Sequence, residues 1–228
     1  MLKVTGIILL IILFNPVVAT HLRYGYISAK RLNPLNLQTE IKLTVYTNTG
    51  SAILFGGDGD ILDLGDGNFI LIPETPSIAR PDLGPGIGMA TFTYVHTYAS
   101  PGVYIISYSE TNLLEGIINV SNSANTPLTL ETLIVFDPFN DFESTGELLA
   151  EPYMLAKGGL PLSLSVARAN TDDLFFSYSI PVNSFPLRIP ENFSINAHNG
   201  LITWDTPFQN QVTLAPTCFR FTPAYSVK

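Results

Sequence analysis

In several runs of this chain apolar residues return at every second position, and no stretch of 12 residues carries a helical period. Residues 40–47 alternate Ile41, Leu43 and Val45 with polar neighbours. That is the two-residue period of a strand with one face in a core. Residues 91–98 alternate again, with Phe92, Tyr94, His96 and Tyr98 on one face and Thr91, Thr93, Val95 and Thr97 on the other. Residues 103–108 and 128–136 are rich in β-branched and aromatic side chains. Seventeen Gly and 17 Pro punctuate these runs at short intervals. The expectation is an all-β chain built of tandem antiparallel β-sandwiches.

The size permits a real core: 228 residues hide about 70% of the surface that the unfolded chain exposes. Charged residues make up 13%, against about 25% in ordinary domains, which argues against disorder. Acids outnumber bases 19 to 11, a net charge of −8. A basic stripe for nucleic acid is excluded, and no nucleic-acid partner is expected. A single cysteine, Cys218, makes neither an intramolecular disulfide nor a zinc knuckle.

Residues 1–19 read as a signal peptide. Lys3 supplies a positive start, residues 4–14 an apolar run, and Val17 and Ala19 the small residues before a cleavage point. Asn15 and Pro16 end the run short of the roughly 20 apolar residues that a membrane span needs. Cleavage removes Lys3 and leaves 19 acids against 10 bases, a net charge of −9. The expected address is secreted or cell-surface, with no membrane insertion after cleavage. A turn-forming cluster begins at Asp137 and Pro138, and Asp141, Glu143, Glu147 and Glu151 follow it. The expected division is one module over 20–140 and a second over 145–228. Strand-like runs resume at 162–167, 174–180 and 201–204.

The most specific local pattern lies at residues 61–68. Leu62 and Leu64 would face a core and Asp63 the solvent. Asp66 and Gly67 suit a tight hairpin turn, after which a strand resumes at Phe69. Downstream lie His96-Thr97-Tyr98 and Pro101-Gly102-Val103-Tyr104. Together these residues resemble the polycystic-kidney-disease (PKD) domain, an immunoglobulin-like β-sandwich. Its signature matches at Asp63, Gly65, Asp66, Gly67, His96, Tyr98, Gly102 and Tyr104, while Leu62 and Leu64 stand where it carries aromatics. The runs 20–23, 117–123 and 130–132 are similar to PKD-containing exported surface proteins of gliding bacteria. The resemblance covers about residues 20–137. Residues 172–178 and 193–204 are similar to cadherin-like and immunoglobulin-like modules. Two departures stand out. The related chains carry cysteines at the start of the second module, where this one has none. They also continue in further strands, whereas residues 211–228 do not read like those strands, which leaves open whether the second sandwich is complete.

The motifs of common enzymes are absent: no Gly-x-Ser-x-Gly, no phosphate-binding loop, no Gly-x-Gly-x-x-Gly and no His-Glu-x-x-His. His21, His96 and His198 lie far apart in sequence, and His96 reads as a structural residue bonded to backbone or to Asp63. Cys218 lacks an evident partner base. Asp58, Asp60, Asp63 and Asp66 do not follow the spacing of a calcium loop. Asp137, Asn140 and Asp141 lie where cadherin-type repeats hold calcium, but without the surrounding ligands. Tyr24, Tyr26 and Tyr46 flank early strands and would serve either as ordinary strand residues or as a platform on which sugars stack. Asn119 and Asn192 open N-glycosylation patterns. No catalytic residue, metal ligand or cofactor is expected. The expected role is a structural or adhesion module that binds other surface proteins. The alternative is a carbohydrate-binding accessory module of a secreted hydrolase system, with extracellular glycans as partners.

Overall fold

The computed structural model describes residues 22–33, 35–57, 59–110, 113, 115–117, 120–137, 144–146, 148, 151, 159–166, 175–179, 191–205 and 220–224. All regular structure there is strand, apart from one 3-10 turn at Ser123–Asn125. The strands are β1 (Leu22–Arg31), β2 (Gln38–Asn48), β3 (Ile61–Asp63), β4 (Phe69–Leu71), β5 (Ile78–Ala79), β6 (Ile87–Thr97) and β7 (Gly102–Glu110). They continue with β8 (Leu128–Phe136), β9 (Leu162–Ser165), β10 (Phe175–Ser179), β11 (Phe193–Ile195), β12 (Leu201–Trp204) and β13 (Arg220–Ala224). Every ladder between them is antiparallel.

The first eight strands form two four-stranded sheets. Sheet I has the order β1-β2-β6-β5 and sheet II the order β4-β3-β7-β8. They close on one core, as two layers of a sandwich do. Ile27, Ile41, Leu43 and Val45 enter it from sheet I, and Leu62, Ile106, Tyr108, Leu130 and Ile134 from sheet II. The alternation at Ile41, Leu43 and Val45 therefore reads as expected, and Leu64 joins Leu62 in full burial. The sheets approach so closely at Gly25 that an added Cβ would lie 2.7 Å from Leu130 Cδ1 and 2.8 Å from the Thr44 carbonyl oxygen. A larger residue there would push the layers apart.

The segment after β8 returns to sheet I. The Thr145 amide donates to the Ala29 carbonyl at 2.8 Å, and the Ala29 amide donates to Thr145 Oγ1 at 2.9 Å. With the bridge between Lys30 and Ser144, these contacts occupy part of the outer edge of β1, which would otherwise present unpaired backbone groups. Farther along, β11-β12-β9 form a three-stranded sheet and β10-β13 a pair. Val166 and Ile202 are buried there against Leu164, Phe193 and Ile195. Trp204 is buried too, and its indole N–H donates to the Glu191 carbonyl at 3.1 Å. The tail, which is unlike the further strands of the chains it resembles, contributes β13. Its Pro223 stands opposite Phe176 of β10, and a proline, having no N–H to donate, is accommodated in a strand with one described neighbour.

Candidate functional site

The signature residues converge at one end of the sandwich. The β3–β4 connection is built by side chains that mimic backbone. Asp63 Oδ1 accepts the Gly65 amide at 2.8 Å, Asp66 Oδ1 accepts the Asn68 amide at 3.1 Å, and the Leu64 amide donates to the Asn68 carbonyl at 3.0 Å. Gly65 takes φ 80°, and a Cβ on it would sit 2.4 Å from the Ile105 carbonyl oxygen. Only glycine satisfies both demands. His96 Nε2 lies 2.7 Å from Asp66 Oδ2, and both side chains are largely buried. The sequence suggests backbone or Asp63 as the partner of His96. The structure corrects this to Asp66, because Asp63 projects outward while the turn folds Asp66 back over β6. Burial pushes the Asp66 carboxyl up, but the His96 bond, the Asn68 bonds and the imidazole charge outweigh it and hold it below its ordinary value.

Next to this pair, the Tyr98 hydroxyl donates to the Leu64 carbonyl at 2.9 Å and that of Tyr104 to the Ser100 carbonyl at 2.8 Å. The rings of Tyr98 and Tyr104 lie 4.3 Å apart, and Phe136 packs 5.3 Å from Tyr98. His96 meets the Tyr98 ring edge-on at 4.6 Å. The His96 and Tyr104 bonds each tie a loop to a strand, and the Tyr98 bond joins the β3–β4 turn to the exit of β6.

The acidic residues near residue 60 are similarly divided. Asp60 and Glu110 both receive the Tyr108 hydroxyl, at 3.3 and 2.9 Å. Asp63 holds Gly65 and Asp66 holds His96, so Asp60, Asp63 and Asp66 each have a different partner. Among the described residues no group of three or more His, Cys, Asp or Glu is placed to hold a metal ion. Asp137 is half-buried, while His198 and Asn192 are exposed. Residues 1–19, which the sequence suggests are a signal peptide, and His21, Asp58, Asn119, Asn140, Asp141 and Cys218 lie outside the described residues.

The tyrosines considered as a stacking platform are not exposed. Tyr24 and Tyr46 stack on each other at 6.1 Å and are 3% and 0% exposed. They sit on the outer face of sheet I in a cluster with Ile87, and Tyr26, Leu83 and Met89 pack against it. Glu151 closes this cluster. It accepts the Tyr46 hydroxyl and, at 2.8 Å, Arg80 Nη1. Arg80 also pairs with Asp82 at 2.8 Å. Burial, and then the bond to Glu151, raise the Tyr46 phenol far above its ordinary value.

Sheet II presents the opposite kind of outer face. Ile61, Phe69, Leu71, Val103 and Ile105 are 45%, 63%, 63%, 63% and 47% exposed. The ladders pair Ile61 with Leu71 and place Ile105 opposite Leu133 and Val103 opposite Val135. These side chains alternate with the core residues Leu62, Ile106 and Ile134 and so share one surface. Exposed apolar residues gathered on one face mark an interaction site on soluble proteins. None of these residues was singled out as functional from the sequence. The available signal was the unbroken apolar character of 103–106, where both strand parities are apolar instead of one.

No protein-family model, curated protein or solved structure matches the chain.

Proposed function

We propose that this chain is a non-catalytic, exported surface module that binds other proteins through the outer face of sheet II. In this reading the residues up to about 140 form a PKD-like sandwich, and those from 145 onward a cadherin- or immunoglobulin-like one. One observation carries the reading: Ile61, Phe69, Leu71, Val103 and Ile105 are exposed together on one sheet face, whereas the polar groups of the signature are engaged in holding loops. An adhesion or spacer role needs a stable frame and an apolar contact surface, and both are at hand. The fold alone does not select among ligands, so the reading rests on that face.

The test is to replace Ile105 with a photo-cross-linking phenylalanine analogue in the producing cell and irradiate intact cells. The expected result is a covalent adduct to a second protein, abolished by Phe69→Ser. Efficient labelling of externally added oligosaccharide with no protein adduct would overturn the proposal in favour of the carbohydrate-binding alternative.

A further inference from the structure

The ladders of sheet II align Phe69, Asp63, Ser107 and Glu131 in one row across all four strands. Asp63 and Glu131 are exposed and flank Ser107 two strand spacings apart, roughly 10 Å. Apolar residues border this row on both sides. Leu71 and Ile61 lie before it on β4 and β3, where β7 and β8 carry Ser109 and Thr129, and Ile105 with Leu133, then Val103 with Val135, lie after it on β7 and β8. The face is thus an apolar surface crossed at its middle by two carboxylates with a small hydroxyl between them.

We infer that the partner of this face presents a lysine or arginine flanked by apolar side chains, seated over Ser107 between Asp63 and Glu131. The inference rests on the interaction reading above and specifies its chemistry. Asp63 keeps its Oδ1 bond to the Gly65 amide, but burying it and Glu131 under an apolar surface would still strip both carboxylates of water with no counter-charge in exchange, which is costly. A cation between them offsets that cost. A second copy docked face to face would bring two such acidic rows together, and like charges set opposite each other are destabilising. The chain's net charge of −8 adds to that repulsion and speeds encounter with a basic partner.

The probes are four fluorescent peptides of about six residues, the length of an average strand. Ser fills every second position, and the remaining positions, which share one face of an extended peptide, carry Val-Lys-Val, Ser-Lys-Ser, Val-Ser-Val or Val-Glu-Val; the four are called Val–Lys, Ser–Lys, Val–Ser and Val–Glu. Binding to the purified protein is read by anisotropy at low and at physiological salt. The Val–Lys peptide is expected to bind at least about tenfold more tightly than the other three. Glu131→Lys is expected to weaken it about tenfold and Val103→Thr about fivefold, both variants melting at the wild-type temperature. Equal binding of the Ser–Lys peptide would overturn the inference, because bulk acidity alone would then explain the affinity. Equal binding of the Val–Ser peptide, still lost in Ile105→Thr, would overturn the basic centre and leave the interaction reading standing. Binding of every peptide unchanged by Glu131→Lys, Val103→Thr and Ile105→Thr would overturn both. A dimer seen by sedimentation and dissolved by Phe69→Ser would overturn the inference in favour of a second copy.

Discussion

The two sheets of the sandwich are built from the same kind of strand, yet their outer faces have opposite fates. On sheet I, Tyr24, Tyr46 and Ile87 lie outside the main core and are buried all the same. The chain returns to that face through Glu151, which joins Tyr46 to Arg80. On sheet II, Phe69, Leu71 and Val103 remain mostly exposed. The number of apolar residues on a face is therefore not what distinguishes a stabilising surface from a docking surface. The distinction lies in whether the chain supplies its own cover.

Substitutions can break this contrast. The largest effect is expected on the covered face. Tyr46→Ala removes a fully buried ring and the phenol that holds Glu151, and should cost about 3–5 kcal/mol in urea unfolding. Equal stability of variant and wild type would mean that the face is not covered as described. Thr145→Val comes next. It leaves the buried Ala29 amide without its side-chain acceptor and should cost about 1–2 kcal/mol. Hydrogen exchange at Ala29 should accelerate while exchange at Ile106 stays slow.

A smaller, pH-dependent effect belongs to the turn that borders the open face. The folded Asp66 carboxyl titrates below the ordinary value of 3.8. Its contribution to stability is complete above that value and disappears as pH falls through the folded pKa. Asp66→Asn should therefore flatten the decline of stability below about pH 4 relative to wild type, as followed by thermal melts across that range. The smallest effect is expected on the open face itself. Phe69→Ser should change stability by no more than about 0.5 kcal/mol, yet lower the fluorescence of a bound apolar dye. A loss of several kcal/mol on Phe69→Ser would show that the face is in fact a covered one.

Where one face of a strand is buried and the other wet, the fold is readable directly. Residues 40–47, 91–98 and 128–136 fall within β2, β6 with its exit and β8. β1 is not readable in that way. Tyr24 is buried on the outer face of the sheet while Ile27 and Ala29 are buried on the inner one, and Gly25 contributes no side chain, so the two-residue period vanishes. The turn at Asp63–Gly67 is legible because its side-chain-to-backbone bonds span two residues. The His96 partner is not, since Asp63 and Asp66 are both carboxylates in reach of β6 in sequence terms, and the turn's curvature alone decides which one arrives. The open face was hidden for a simpler reason: exposure of Val103 and Ile105 is a property of the assembled sheet, and a strand with both parities apolar reads the same whether its second face is covered or bare.

The contact between Thr145 and Ala29 also has a consequence in time. Its partners stand 116 residues apart. At synthesis rates of about 5–20 residues per second, roughly 6–23 s pass between the emergence of Ala29 and that of Thr145. During that interval the outer edge of β1 has no Thr145 to close it, and a neighbouring nascent chain could pair there instead. The vulnerability of this protein to misassembly thus depends on how fast the chain is delivered as well as on equilibrium stability, and a pause before residue 145 would add its own duration to the exposure.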